Sequence, residues 1–309
     1  MVYTKFKEMH AADLCQKASM TTQQPEWLNK NEYPFESKFI NQNGYQQHYI
    51  DEGSGDPIVF VHGTPSWSFD FRHVIKELAL SNRCIALDHM GFGLSDKKPD
   101  YDYSLTNHIA NLTRLIELLN LKDIVLVLHD FGGPIGLEYA LQNLSTIKKI
   151  VVMNSWIGSS ENEPEFQKMK KILKSPLLPF LYLRMNFSPK YLLPQSFGSK
   201  QLNKSIKSQF IKPFPSKKER YGMLAFAKSL LNDQDFFESQ LQRSEKLASK
   251  PILLIWGLKD KFAGETYLRR FQKLFQENTT VTLKEAGHFP QEEEPNAVTK
   301  AILDFVAVI

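Results

Sequence analysis

The sequence predicts an α/β protein: a mostly parallel, doubly wound sheet with helices on both faces and a block of helices inserted before the last strands. Three observations predict it. Short apolar runs such as Ile58-Val59-Phe60-Val61 and Ile252-Leu253-Leu254-Ile255 alternate with helix-compatible segments, the pattern of strands buried on both faces. One run, Ile124 to His129, breaks into Asp130-Phe131-Gly132-Gly133 and continues as a helix, which reads as strand, sharp turn, helix. From about Gly158 to Leu230 no strand pattern is present, and alternation then resumes.

The elements follow in order. Residues 1–24 are polar, mixed and free of motifs, and are expected as an N-terminal arm. Pro25-Glu26-Trp27-Leu28 and Tyr33-Pro34-Phe35 read as a segment packed on a core surface. Ser37 to Asn41 and Gln46 to Asp51 flank Asn43-Gly44 and predict a hairpin. The strand Ile58–Val61 ends in His62-Gly63-Thr64-Pro65-Ser66-Trp67-Ser68, and a helix follows through Ala79. Cys84 to Leu87 is the next strand, closed by the turn Asp88 to Ser95. Leu105 to Asn120 has helical amphipathic spacing. The elbow strand, its helix and a strand over Ile150 to Asn154 come next. The last part holds a strand over Pro251 to Gly257, a helix to Gln276, a strand over Thr280 to Leu283 and a closing helix from Pro295. The expected core is thus 25–157 with 231–309, and the expected cap is 158–230.

Composition sets bounds on function. The 309 residues suffice for one large domain with an insertion. Two cysteines, Cys15 and Cys84, make no disulfide framework and fit a reducing compartment. No apolar run approaches the roughly 18 residues of a spanning helix, and the first twenty residues lack the apolar core of a signal peptide. The expectation is a cytoplasmic protein, monomer or homodimer, with no membrane partner. Residues 158–230 carry 14 Lys and Arg against 4 Glu, a net of +10, while the remainder carries 24 basic and 30 acidic residues, a net of −6. This is the mark of a solvated basic surface, or of one that steers anions. No aromatic–basic interleaving suggests nucleic acid. No ligand-spaced His and carboxylate cluster suggests a metal, and no Gly-rich phosphate loop suggests a nucleotide cofactor.

Three strand ends converge on one edge if the sheet is parallel, and ligands bind outside the carboxyl ends of such strands. Asp130 ends one strand, Asp260 follows another, and His288 follows a third. Gly132 and Gly133 permit the tight elbow that usually displays a nucleophilic Ser; here the displayed group is a carboxylate. The chain order Asp, Asp, His matches nucleophile, acid and base. Asp88 sits in a Gly-rich turn, where a structural role is expected. His62 and His129 are expected to support the backbone of the site. Asn154 marks an alternative place for the acid, but as a neutral amide it is the weaker orienter.

From Trp27 onward the chain resembles the haloalkane dehalogenase branch of the α/β-hydrolase superfamily. The matching stretches are Tyr33-Pro34-Phe35, His48 to Gly53, His62 to Phe69, Asp88 to Ser95, His129 to Gly133, Trp256 to Asp260 and Gly287-His288-Phe289. The resemblance implies an α/β-hydrolase fold with a helical cap and a small hydrophobic electrophile as substrate. Asp130 would attack the electrophilic carbon and form an ester. His288, neutral and held by Asp260, would deprotonate the water that hydrolyses it. The backbone N–H groups of Phe131 and Thr64 would hold the oxyanion.

The chain departs from that family at the leaving-group site. The family generally places Trp after the nucleophile and Asn or Glu after His-Gly; here stand Phe131 and Thr64. None of the four tryptophans lies in the cap, so Trp67 and Trp156 are the candidates to point an indole at the site. An epoxide or β-lactone substrate would keep its leaving group attached, and Tyr182, Tyr191 and Tyr221 would be candidate donors to it. A third possibility is a binding protein that keeps the fold without turnover.

Overall fold

The computed structural model describes residues 24–308. The expected arm lies outside the described residues apart from Gln24, as does Cys15. Eight strands form one sheet: β1 (Lys38–Gln42), β2 (Tyr45–Gly53), β3 (Pro57–Val61), β4 (Arg83–Leu87), β5 (Ile124–His129), β6 (Ile147–Met153), β7 (Ile252–Gly257) and β8 (Asn278–Leu283). Their order is β1-β2-β4-β3-β5-β6-β7-β8. β1 and β2 pair antiparallel, as do β2 and β4; every other neighbouring pair is parallel.

The hairpin turn explains itself. Asn43 and Gly44 both take positive φ, 55° and 94°, which a two-residue turn matched to the strand twist requires. The chain leaves β3 in one direction to form β4, then returns past β3 to form β5 and its successors in the other direction. The order therefore reverses between β3 and β5, where a crevice opens above the carboxyl ends of a parallel sheet.

Alternation along the strands sorts side chains into two layers. Val59, Val61, Leu126, Leu128, Ile150 and Val152 join one buried cluster, with α2 (Leu105–Leu118) and α3 (Gly132–Gln142) packed on it. Their neighbours Ile58, Phe60, Val125, Val127, Val151 and Met153 join the other, beneath α1 (Arg72–Leu78) and a C-terminal helix, Pro295–Ala307. Each fully buried aliphatic side chain stabilises the fold by about 1.5–3 kcal/mol. A slip of one residue in any strand would exchange the two layers, so register is strongly specified. Cys84 lies inside the second layer, and burial pushes its thiol up to about 12.

Between β6 and β7 run α4 (Pro164–Leu173), α5 (Leu178–Leu183), α6 (Leu193–Ser196), α7 (Lys204–Ile211), α8 (Tyr221–Asn232) and α9 (Gln234–Gln242). The expected cap edge at residue 230 falls inside α8. Gln209 on α7 ties this insertion to the core: its amide donates to the Trp27 carbonyl (3.1 Å) and accepts from Asn29 N–H (3.0 Å), while its carbonyl accepts the Trp67 indole N–H (3.1 Å). After β7 follow α10 (Glu265–Leu274), α11 (Pro290–Glu293) and α12 (Pro295–Ala307). Among the described residues, no helix is long and apolar enough to cross a membrane.

Arg72 at the start of α1 is buried and makes a bidentate pair with Glu292 on α11, four residues after His288. Its Nε also donates to Glu32 (3.1 Å), and its guanidinium lies 4.0 Å from the centre of the Phe69 ring. Removing one partner of such a pair leaves the other charge uncompensated. Arg72→Met should therefore cost about 3–5 kcal/mol in urea unfolding, and Arg72→Met with Glu292→Met should recover part of that loss.

Candidate active site

The turn after β5 forces Asp130 into the left-handed region, with φ of 51°. Such a conformation costs a non-glycine residue about 1–3 kcal/mol and persists only where the surroundings hold it. Here the Asp130 carbonyl accepts from Gly133 N–H (2.9 Å) and from the Ser155 hydroxyl (2.7 Å). Two glycines make the crowding possible. A Cβ on Gly132 would sit 1.9 Å from the Val61 carbonyl oxygen, and one on Gly63 would sit 1.9 Å from Asp130 Oδ1. The Asp130 side chain lies at the N-terminus of α3, whose dipole favours negative charge.

The two carboxylate oxygens of Asp130 have different partners. Oδ1 accepts the backbone N–H of Thr64 (2.8 Å), from the loop after β3. Oδ2 lies 3.2 Å from His288 Nε2. On the far side of the ring, His288 Nδ1 lies 2.7 Å from Asp260 Oδ2. Asp130, His288 and Asp260 are all buried. The three residues thus form one file across the crevice, built from the loops after β5, β8 and β7.

Asp260 is satisfied on both oxygens. Its Oδ2 accepts from the Asn154 amide (2.9 Å) as well as facing His288, and its Oδ1 accepts Phe262 N–H (2.7 Å). Burial raises its pKa, but His288 and these hydrogen bonds outweigh burial and hold the carboxyl below its usual value. Asn154 is therefore a hydrogen-bond partner of Asp260. Its own oxygen accepts Gly257 N–H (2.9 Å), which fixes the amide orientation. A lone Asn at a strand end carries no sequence signal for that role.

Burial disfavours the His288 imidazolium, yet Asp260 and Asp130 on either side outweigh it and lift the group to about 10. The two carboxylates thus favour the imidazolium in the unliganded site.

The supporting residues sit behind this file. His129 Nε2 donates to the His288 carbonyl (2.6 Å), and Gln291 bridges His129 and Asp70. His62 Nδ1 donates to the Gly63 carbonyl (2.7 Å). Asp88 accepts from Ser68 N–H (2.8 Å) and Leu94 N–H (2.7 Å) and faces His48 Nδ1 at 2.8 Å. Burial opposes its charge, but His48 and His62 outweigh burial and bring Asp88 to about 2.

Above Asp130 lies a small cavity of about 90 Å³ with a mainly apolar wall. Phe131, Phe166, Met169, Leu192 and Phe289 supply much of that wall. Three of the predicted polar candidates reach it: Thr64, Trp156 and Tyr182. The Thr64 hydroxyl and the Trp156 indole N–H are buried, and neither has a partner among the described residues. Phe131 stacks on Phe226 (centroids 4.3 Å) and meets Trp156 edge to face (4.9 Å).

Three candidates lie elsewhere. Trp67 is fully buried away from the cavity, where Tyr33 and Phe69 pack on its ring and Gln209 takes its N–H. Tyr191 is exposed and stacks on Phe187. Tyr221 borders a separate surface cleft beside Pro99 and Tyr103. Neither Tyr191 nor Tyr221 lines the cavity.

Comparison with known proteins follows this geometry. A family model described as the alpha/beta hydrolase fold matches residues 56–295. The chain is 30% identical over 275 residues to "Haloalkane dehalogenase 2" of Mycobacterium tuberculosis, spanning 88% of this chain and 95% of that one. The chain belongs to the haloalkane dehalogenase-like α/β-hydrolases. Another relative in this range, "Cis-3-alkyl-4-alkyloxetan-2-one decarboxylase" of Shewanella oneidensis, is 33% identical over 283 residues, spanning 88% and 89%. The solved structure of a mutant of haloalkane dehalogenase DatA from Agrobacterium tumefaciens superimposes with a TM-score of 0.78 at 25% identity, spanning 87% of this chain and 95% of that one. These relatives support a hydrolase of this family.

Two outcomes test the site. In an NMR titration of the His288 ring, Asp260→Asn should lower its pKa furthest from about 10, and Asp130→Asn by a smaller step. Because the folded value lies above the 6.5 of a free His, this group contributes stability below that pH that is lost as pH rises toward 10. Both variants should flatten that loss. Gly63→Ala should displace the Asp130 carboxylate and reduce turnover by about 100-fold or more, by analogy with a 1 Å misplacement of a reacting group.

Proposed function

We propose that the protein hydrolyses carbon–halogen bonds of small apolar molecules through a covalent Asp130 ester. One observation carries this reading. A carboxylate is held at the floor of an apolar cavity with one oxygen on a backbone N–H and the other on an imidazole, and the cavity is lined by Thr64 and Trp156, whose buried hydroxyl and indole N–H have no partner among the described residues. The relatives named as haloalkane dehalogenases support the same choice.

Asp130 Oδ2 attacks the carbon that bears the halogen. The new C–O bond forms as the C–X bond breaks, and halide leaves with the bonding pair. Oδ1 becomes the ester carbonyl oxygen and is already on the Thr64 N–H, so the donor that will hold the oxyanion is in place before reaction. A carboxylate suits this attack because it needs no base, which leaves His288 for the second step.

The raised pKa of His288 fits the order of events. The ester is neutral, so its formation removes one of the two charges that hold the imidazolium. The ring then releases its proton to solvent and accepts one from water. That water attacks the carbonyl carbon of the ester, the ring passes the accepted proton to the departing alkoxide to give the alcohol, and the Asp130 carboxylate is restored. Asp260 remains charged throughout and holds the ring by Nδ1.

A second reading is favoured by the 33% identity to a protein named as an oxetanone decarboxylase. In a β-lactone the leaving group is a carboxylate that stays tethered. Asp130 would open the ring at the saturated carbon, and the same donors would meet the released oxygen. The small cavity favours short substrates under either reading.

The intact mass of His288→Phe separates the readings, because removal of the base traps the ester. Exposure to a short bromoalkane should add the mass of the alkyl group, and Asp130→Asn should show none. An adduct from a β-lactone or an epoxide alone would assign that substrate instead. No adduct from any of the three would remove the nucleophile role of Asp130.

A further inference from the structure

The outer face of α5 has no partner among the described residues. The helix is Leu-Pro-Phe-Leu-Tyr-Leu, apolar around its circumference, which in a globular protein means burial on every side. Only the inner side is covered: Leu178, Tyr182 and Leu183 are buried. Outside, Leu177 is 62% exposed and Phe180 is 56% exposed. Met185 and Ile172 are exposed beside them in the chain, as is Tyr191 beyond the next turn. Backbone hydrogen bonds hold this strip together, with Phe180 C=O accepting the N–H groups of both Arg184 and Met185. Of the large apolar residues exposed among the described residues, all but Leu80 and Val308 lie in this short stretch. Isolated exposed apolar groups need no explanation, but a cluster of this kind marks a surface that is covered in use.

The charges around it indicate what covers it. Between Phe166 and Lys218 the chain carries twelve Lys and Arg and no Asp or Glu. Lys168, Lys171, Lys174, Arg184 and Lys190 are exposed in the same stretch as the apolar strip. Among the described residues, none of these five is paired with a carboxylate; only Lys170 nearby is, with Glu161. A second copy seated on this face by two-fold symmetry would bring these cations against one another. An anionic lipid surface complements both features: headgroups meet the cations, and the apolar side chains enter the headgroup boundary while lysine stems extend to its edge.

We propose that the α4–α5 face of the insertion docks on anionic phospholipid membranes, with Leu177 and Phe180 entering the interface. Such attachment needs no spanning segment, since an interfacial helix lies on a bilayer rather than across it. The placement also bears on the cavity. α4 contributes Phe166 and Met169 to its wall and α5 contributes Tyr182, so the docking face is the outer side of the same wall. An apolar molecule dissolved in lipid would meet the protein there. The inference does not depend on which bond is broken.

Co-sedimentation of the full chain with vesicles tests it. The protein should bind vesicles of phosphatidylcholine mixed with phosphatidylglycerol, should bind pure phosphatidylcholine weakly, and should be released by salt. Each cation near an anionic surface contributes about fivefold to partition, so K171E/K174E/R184E should weaken binding on the order of 100-fold. L177S/F180S, at exposed positions that leave the thermal melting unchanged, should also weaken it. Failure of the wild-type protein to bind mixed vesicles overturns the proposal. Binding lost in the charge variant but kept in L177S/F180S overturns the insertion of the apolar strip. A wild-type dimer that dissociates in L177S/F180S, without vesicle binding, assigns the face to a second copy.

Discussion

Two carboxylates and an imidazole buried in one file set the terms for the rest of the site. Charged groups removed from water are costly unless each finds a partner. Asp260 has Asn154, Phe262 N–H and His288 to satisfy it, Asp130 has the Thr64 amide and His288, and the two carboxylates raise the pKa of the ring between them. These groups come from five loops, those after β3, β5, β6, β7 and β8, which must therefore meet within hydrogen-bonding distance of one another. The strand reversal between β3 and β5 makes that meeting possible. The glycines at 63 and 132 make it close enough.

The strands and most core helices were legible because their signal is local. Apolar runs, period and turn residues identify β3, β5 and β7 without knowledge of what they pack against. The elbow was legible for the same reason: the glycines and the carboxylate stand next to each other in the chain. The crossing of β4 over to pair with both β2 and β3 follows no local signal, and neither does the antiparallel pairing of β2 with β4.

Orientation was the part the chain concealed. Trp67 and Trp156 both follow strand ends and are equal candidates by position. Trp67 turns under α7 because Gln209, far along the chain, supplies an acceptor there. Trp156 instead borders the cavity, with Phe131 and Phe237 edge to face. The tyrosines of the insertion divide in the same way: Tyr182 faces inward, while Tyr191 and Tyr221 do not. The rise in the His288 pKa was concealed too, since it depends on burial and on two neighbours contributed by separate loops.

The three hydrogen bonds of Gln209 are one of several fastenings of the insertion to the core. On the side of α7 it is pinned to Trp27, Asn29 and Trp67, so moving the insertion as one rigid piece would break all three bonds together. At the start of α4, Glu163 accepts from Arg270 on α10, and on α9 Gln240 donates to the Pro134 carbonyl (2.8 Å). The insertion is therefore fastened at several separate points, and a displacement of the whole block would have to break them together.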